Sequence, residues 1–278
     1  MDLIQAIVYG IVQGLTEFLP ISSTAHLRIV PALAGWADPG AGFTAVIQLG
    51  TLLAVLIYFA RDLSKAFMGW VRNIGNPRSA DPDARMGWAI VVGTIPIVVL
   101  GVLAQKWIKG ELRSLWVIAA TLILMGLIMA VAERVGAKRR QVEDVQVKDG
   151  WIVGFWQALA LIPGMSRSGS TISGALLDGF DRAAAARFSF LLSIPSILAA
   201  GLKELYDERK ELMGSHLTPT LVATVVSFVV GYASIAFLMK FLQRHGILPF
   251  VLYRILLGVA LIILLATGVL SPMSGMAQ

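Results

Sequence analysis

The sequence predicts an all-α integral membrane protein, a single membrane domain over residues 1–278 built from two inverted-topology repeats. Each repeat is predicted to be a re-entrant helical hairpin plus three transmembrane helices. Hydrophobic residues make up 57% of the chain and charged residues 14%, whereas soluble domains carry about 25% charged residues. The mean hydropathy is +0.77. The apolar runs are long and lack the alternation of barrel strands, so helices are predicted.

Six apolar segments are long enough to cross a bilayer, which takes about 20 residues. Charged connectors separate them, and the second half of the chain holds three of the six. Two segments contain an arginine, Arg187 near one end and Arg254 well inside. The segments are residues 43–60, 86–105, 114–132, 183–202, 217–239 and 246–270.

Two further apolar segments, residues 3–34 and 150–177, are interrupted by a proline and a cluster of small polar residues. Proline removes a helix donor, and serine and glycine favour turns and caps. Each segment is therefore predicted to form two half-helices around a break; the alternative is an ordinary kinked span. The first break contains Pro20-Ile21-Ser22-Ser23-Thr24, and the second runs from Pro163 to Thr171.

The two halves of the chain look alike, since each reads as one interrupted segment followed by three spans. A hairpin returns to its own side and three spans cross an odd number of times, so the second half must enter from the opposite face. We therefore predict inverted repeats over residues 1–135 and 150–270, with the site where the breaks meet. Chance similarity between apolar segments is the alternative.

Basic residues predict the orientation. The connectors on one face hold 14 Lys and Arg residues, and those on the other face hold 6. The first face is therefore predicted to be cytoplasmic, with both termini and the first hairpin's mouth outside. The net charge of +6 reflects this pattern and does not indicate nucleic acid. Residues 203–216 are predicted to form a short interfacial helix, and the absence of cysteine excludes disulfides and thiolate chemistry.

The first break gathers polar side chains that are costly in lipid. Gln13 and Glu17 share a helical face and offer oxygen ligands for a hard divalent cation. Glu17 is otherwise a general base or the partner of an arginine. His26 follows Ser23 by three residues and is predicted to reach its hydroxyl, which would pair a nucleophile with a base. The alternative is that His26 fills a polar gap.

The second break is predicted to open a helix whose free N–H donors and positive dipole end form an anion site. Arg167 adds a fork that matches phosphate; its alternatives are a salt bridge to Glu17 or snorkelling to the membrane surface. The two breaks together predict phosphoryl chemistry on a lipid-borne substrate. The predicted substrate-binding residues are Ser22, Thr24, Ser166, Ser168 and Thr171.

At these residues the chain resembles the undecaprenyl-diphosphate phosphatase family of the bacitracin-resistance type. The matching stretches are residues 13–26 and 163–174, with smaller echoes at 43–53 and 249–254. They recur in order through nearly the whole chain. The family motif has Glu or Gln where this chain has Gln13, and Ala25 stands where glycine is expected.

The resemblance implies hydrolysis of undecaprenyl diphosphate to undecaprenyl phosphate and inorganic phosphate, which recycles the carrier lipid for cell-wall synthesis and gives bacitracin resistance. It also implies a multi-pass protein of the bacterial inner membrane, an active site that opens to the periplasm, a divalent cation (Mg²⁺ or Ca²⁺) and a homodimer. The family's functional residues carry over to Glu17, Ser23, His26, Ser166 and Arg167.

Two mechanisms and a rival function stay open at this point. In the first mechanism Ser23 attacks phosphorus with His26 as its base, while Arg167 neutralises the phosphate. Glu17 then holds the divalent cation or orients the attacking group. In the second, a metal-activated water attacks and Ser23 is a phosphate ligand. The rival function is a transporter or flippase of a phosphorylated prenyl lipid, because broken helices in inverted repeats are typical of transporters. A structural scaffold is weaker, because it needs no buried Glu, His and Arg.

Overall fold

The computed structural model describes residues 1–105, 111–207, 209 and 217–275. Within these residues the chain forms eleven α-helices and no β-strand, which agrees with the predicted all-α class. In chain order the helices are α1 (Leu3–Phe18), α2 (Ser23–Ala34), α3 (Gly40–Tyr58), α4 (Ala60–Arg72), α5 (Pro82–Leu103), α6 (Leu115–Val135), α7 (Val147–Ala158), α8 (Arg167–Leu177), α9 (Arg182–Asp207), α10 (Leu217–Leu242) and α11 (Leu248–Ala266).

Five helices of the described chain are long and apolar enough to cross a membrane: α5, α6, α9, α10 and α11. The pair α3 and α4 makes a sixth if it is counted as one span, but the two are bent by 80°. Large apolar side chains also cover the surface; Leu103 is 72% exposed and Val102 is 71% exposed. A water-soluble monomer does not expose apolar surface on this scale, so these side chains face lipid. The protein is a multi-pass membrane protein, as predicted.

Helix α4 occupies the start of a segment that the sequence analysis assigned to a charged connector. Its buried residues, Ala66 and Gly69, pack on α5, while Phe67 is exposed. This amphipathic pattern explains why the chain turns sharply after α3 and yet stays helical. At the same end of the molecule, Asp62 accepts two hydrogen bonds from Arg187, so the arginine noted in the sequence has a partner. The predicted interfacial helix at 203–216 lies mostly outside the described residues.

Both predicted breaks are present. Helix α1 ends at Phe18 and α2 begins at Ser23; α7 ends at Ala158, a short 3₁₀ turn follows, and α8 begins at Arg167. In each interrupted segment the two half-helices pack against one another, α1 on α2 and α7 on α8, so neither segment is a single kinked span. The chain turns back on itself twice, with polar residues at each turn.

The first half-helix of each interrupted segment packs along a helix from the other half of the chain. Helix α1 lies along α10, and α7 lies along α5. Glycines permit the close approach: a Cβ on Gly14 would stand 2.7 Å from Val230 Cβ, and one on Gly154 would stand 2.5 Å from the Gly93 carbonyl oxygen. Small residues at such crossings let backbones pack tightly where no hydrophobic force drives helices together.

This packing predicts that Gly154→Ala destabilises the protein. The new methyl group meets the backbone of Gly93, which has no flexible end to move, so we expect a loss of about 1–3 kcal/mol of unfolding free energy. Gly101→Ala is the matched control, because its Cβ would meet only Leu161 Cδ2, at 3.4 Å. Unfolding of both variants in detergent micelles measures the difference. Equal stability of the two variants would contradict the close α5–α7 contact.

Candidate active site

Glu17 is the centre of a buried polar cluster that joins the two breaks. Its Oε2 accepts hydrogen bonds from Gln13 Nε2 at 2.9 Å and from Ser23 Oγ at 2.7 Å. Its Oε1 accepts one from Arg167 Nη2, also at 2.9 Å. The predicted shared face of Gln13 and Glu17 is therefore present, as is the Glu17–Arg167 ion pair that the sequence left as one alternative. Three donors around one carboxyl group fit its ionised form.

A serine with a left-handed backbone starts the second half-helix of each interrupted segment. Ser22 has φ 77° and Ser166 has φ 70°, a region that few residues other than glycine adopt. Each serine is an N-cap: Ser22 Oγ accepts from the Ala25 N–H and Ser166 Oγ accepts from the Gly169 N–H. Such strain persists where the surroundings fix it, often at functional sites. Both helix N-termini, with their unpaired first N–H groups, are thereby placed at the same cavity.

Two hydrogen bonds connect the breaks directly. The Gly164 N–H donates to Thr24 Oγ1 at 3.4 Å, and Ser168 Oγ donates to the Leu19 carbonyl oxygen at 3.2 Å. Thr24 and Ser168, both predicted to bind substrate, therefore hold the two breaks in register, and Ser168 is fully buried and does not line the cavity.

Arg254, on α11, makes the largest set of contacts at the junction. It is fully buried, and its guanidinium donates to the carbonyl oxygens of both breaks, at 3.3 Å to Pro20 and at 2.7 Å to Gly164. Further donations reach the carbonyl oxygens of Thr121 and Leu122 on α6 and of Met165. No carboxylate pairs with Arg254 in the described part of the chain. Arg254, as a charged residue inside a span, requires a partner, and here backbone carbonyl oxygens take that place.

His26 makes no hydrogen bond to Ser23, so the predicted pairing of these two side chains is absent. The Nδ1 atom of His26 lies 2.7 Å from the Ser22 carbonyl oxygen, and Nε2 lies 2.7 Å from the Tyr253 hydroxyl. His26 follows Ser22 by four positions, about one helical turn. Its ring therefore lies against the carbonyl of the N-cap Ser22, while the Ser23 side chain points across to Glu17. In this structure the base within reach of the Ser23 hydroxyl is Glu17.

A cavity of about 140 Å³ lies between the breaks. Six of the predicted site residues line it, Glu17, Ser22, Ser23, Thr24, Ser166 and Arg167. Arg167 Nη1 is buried and has no hydrogen-bond partner among the described residues, so one side of its fork is available to an anion. The other lining residues are Gln48, Ile97, Ala160, Ser196, Ile197 and Ala200, none of which the sequence analysis selected.

The remaining predicted residues support the cavity from behind. Gln13 is fully buried next to Glu17 and donates weakly to Thr51 Oγ1, at 3.4 Å. Thr171 does not line the cavity; its hydroxyl bonds the Arg167 carbonyl oxygen and the hydroxyl of Ser189 on α9. The prediction that Thr171 touches substrate does not fit this position, because the residue lies one helical turn inside α8.

A second, mostly apolar cavity of about 280 Å³ continues from the first between α5 and α9. The two share Ile97, Ser196 and Ala200, and the far end of the second contains Gln105 and Lys203. Its walls include the exposed Val102, so it opens sideways to lipid. A polar chamber with an apolar side exit fits an amphipathic lipid.

Fold and cavity together define a multi-pass membrane protein with a polar cavity between two broken helices. Residues 6–260 match the family described as bacitracin resistance protein BacA, and the chain belongs to that family. It is 50% identical over 275 residues to an undecaprenyl-diphosphatase of Nocardioides sp., covering 98% of this chain and 99% of the relative. It is 52% identical over 285 residues to an undecaprenyl-diphosphatase of Chlorobaculum tepidum, covering 98% and 100%. The resemblance seen in the sequence is confirmed.

The contacts of Arg254 predict that Arg254→Met destabilises the protein and abolishes its activity. Methionine leaves buried carbonyls of both breaks without a donor, and each costs about 1–3 kcal/mol, so we expect a loss of roughly 3 kcal/mol or more. Arg254→Lys keeps some of the donors, so its unfolding free energy is expected to lie between those of Arg254→Met and the unaltered protein. Arg244→Met, at an exposed position, is the control. Unfolding in detergent micelles checks the order, and an Arg254→Met protein as stable as the control would contradict it.

Proposed function

We propose that the protein hydrolyses undecaprenyl diphosphate to undecaprenyl phosphate and inorganic phosphate, recycling the carrier lipid for cell-wall synthesis. The observation that carries the proposal is the 2.7 Å hydrogen bond from Ser23 Oγ to Glu17, at a cavity that is also lined by Arg167, whose Nη1 has no hydrogen-bond partner in the described chain. Relatives that match nearly the whole chain are named undecaprenyl-diphosphatase, which supports the same substrate. Bacitracin resistance follows from the same activity.

In the proposed reaction, Ser23 Oγ attacks the terminal phosphorus in line and Glu17 Oε2 takes the hydroxyl proton. The bond from that phosphorus to the bridging oxygen breaks, and undecaprenyl phosphate leaves with the electron pair. Water then attacks the phosphoserine, the bond from phosphorus to Ser23 Oγ breaks, and inorganic phosphate leaves with the water oxygen. Ser23 Oγ takes back the proton that Glu17 held. This assigns the base to Glu17 in place of His26, because Glu17 makes the hydrogen bond.

Arg167 and the two helix N-termini stabilise the charge that the terminal phosphate develops. Arg167 keeps Nη2 on Glu17 and offers Nη1 to a phosphate oxygen. The first N–H groups of α2 and α8 have no intrahelical partner and lie at the positive ends of the helix dipoles. Fixed donors of this kind supply most of the stabilisation that phosphoryl transfer needs.

We also propose that a divalent cation, Mg²⁺ or Ca²⁺, enters with the diphosphate. The described residues contain no group of three or more His, Cys, Asp or Glu side chains that could hold a metal alone. Mg²⁺ commonly binds through one or two carboxylates plus substrate phosphates, and Glu17 fits that mode. Gln13 Oε1, buried without a partner in the described chain, would be the second oxygen ligand. The cation would supply charge neutralisation at the phosphates.

The apolar groove between α5 and α9 is proposed to hold the prenyl tail. It joins the polar cavity at Ser196 and Ala200, so a lipid with its terminal phosphate at Ser23 has a continuous path to the bilayer. Apolar walls such as Val98 and Leu161 match a hydrocarbon chain, and they offer the hydrophobic contact that a polar substrate would not use.

We further propose that the protein is built from two inverted repeats. Its active site would open to the periplasm, where both termini lie, and the protein would form a homodimer. Several features support the repeats: Ser22 and Ser166 cap the same position with similar positive φ, and the hairpins pack reciprocally on α10 and α5. The same separation along the chain relates Gln13 to Gln157 and Ser22 to Ser166. The charge bias of the connectors supports the orientation. The homodimer is proposed from the family resemblance alone.

Phosphate release by the purified protein in detergent micelles tests the proposed function. We expect release from undecaprenyl diphosphate that a metal chelator abolishes. Glu17→Gln is expected to lose about a hundredfold or more in rate, because it removes the general base. His26→Gln is expected to retain most activity, since His26 bonds Ser22 and Tyr253 instead of Ser23.

Ser173→Ala is the control, because Ser173 is a buried serine on α8 that does not line the cavity. It is expected to match the unaltered protein. If well-folded protein releases no phosphate with any cation, the hydrolase proposal is wrong, and transport of a phosphorylated prenyl lipid becomes the leading function.

A further inference from the structure

Two polar side chains line the cavity on the side away from the breaks, and the mechanism above does not use them. Gln48 lies on α3 and Ser196 on α9, both in stretches of mostly apolar residues. A polar side chain inside a span is costly and usually faces a partner or a cavity. Both face this cavity, so their function should be sought in what the cavity holds.

Gln48 offers two amide hydrogens that no residue of the described chain accepts. It is half-buried, and its side chain makes no hydrogen bond with the described protein. Thr51, one turn further along α3, accepts a hydrogen bond from Gln13, which places Gln48 close to the cluster around Glu17. An unpaired amide donor at this depth fits an anionic or strongly polar ligand.

Ser196 stands where the polar cavity meets the apolar groove, since it lines both. Its hydroxyl is 2.9 Å from the Ser193 carbonyl oxygen and 3.4 Å from Gln157 Oε1. Gln157 is fully buried and donates to the Gly93 carbonyl oxygen, which fixes its amide oxygen behind Ser196. The Ser196 hydroxyl can turn from its own helix toward a ligand at small cost, because such backbone bonds of serine are weak.

A diphosphate lipid that uses Ser23 and the groove at once has little freedom of placement. Its terminal phosphate lies at Ser23 and Arg167, its tail lies in the groove, and its other phosphate must lie between them. That intermediate position is lined by Ser196, with Gln48 on the same cavity wall. We propose that Gln48 and Ser196 bind the phosphate that stays on the lipid, and that they thereby select a diphosphate substrate.

This assignment rests on the proposed function, and it explains why the donors are neutral. The phosphate they bind is the one that leaves on the product, undecaprenyl phosphate. A buried arginine or lysine at that position would hold the product as strongly as the substrate. Hydrogen bonds from an amide and a hydroxyl are weaker than those from a charged donor. Arg167 stays with the phosphate that is cut off.

Inhibition by inorganic phosphate and by a short analogue of the lipid product tests the assignment. Farnesyl phosphate, a short prenyl monophosphate, probes the lipid-phosphate position, and inorganic phosphate probes the position at Arg167. For Gln48→Leu and for Ser196→Ala we expect the inhibition constant of farnesyl phosphate to rise about tenfold, the effect of one lost hydrogen bond to a charged group. The constant for inorganic phosphate should stay unchanged.

Ser193→Ala is the matched control, because Ser193 is a buried serine on the same helix that donates to the Phe190 carbonyl oxygen and does not line the cavity. It should leave both constants unchanged. Equal weakening of both inhibitors by Gln48→Leu and Ser196→Ala, or no change in either, would overturn the assignment.

Direct binding of a fluorescent farnesyl phosphate separates this inference from the proposed function. If the unaltered protein binds it, and Gln48→Leu and Ser196→Ala bind it about tenfold more weakly, the lipid-phosphate site stands even where no phosphate is released. If phosphate is released normally but the three proteins bind the probe equally, the inference fails and the proposed function stands.

Discussion

Two interrupted helices meet inside the protein, and their turns leave backbone carbonyls that lipid cannot satisfy. Arg254 donates to carbonyl oxygens of both turns, those of Pro20 and Gly164 among them, and to α6 as well. Because an arginine has five donors in a rigid fork, one side chain can fix several segments relative to each other. The left-handed serines, the facing helix N-termini and the Glu17–Arg167 pair all lie at the junction that this arginine holds.

The charges at this junction are arranged so that the cavity can exist without substrate. Glu17 and Arg167 neutralise each other, and each keeps further capacity, a hydrogen bond from Ser23 on one and an unpaired nitrogen on the other. A buried charge without a partner would be strongly unfavourable, whereas this pair leaves only part of the guanidinium unsatisfied. A phosphate oxygen can accept the hydrogen bond that this part of the guanidinium does not make within the protein. The same contacts therefore stabilise the fold and prepare the chemistry.

Sequence patterns predicted the features that follow from local rules. Proline and serine clusters predicted both breaks, and apolar length predicted the spans. A salt bridge between Glu17 and Arg167 was one of the predicted roles of these residues, because a buried carboxylate and a buried guanidinium stabilise each other. Long-range geometry was not predictable: spacing suggested that His26 would reach Ser23, yet the ring bonds Ser22 and Tyr253. Gln48 and Ser196 are two of several polar residues in mostly apolar helices, and only the folded chain shows that these two line the cavity.

The central claim is that the two breaks form one site, with Ser23 from the first and Arg167 from the second acting on the same phosphate. A double-mutant cycle on kcat/KM for undecaprenyl diphosphate, with Ser23→Ala, Arg167→Ala and the double variant, tests it most directly. Substitutions of residues that act as a unit are strongly non-additive, so a shared site predicts that the double variant is no slower than the slower single variant. Losses that multiply in the double variant would show two independent contributions and contradict the single shared site.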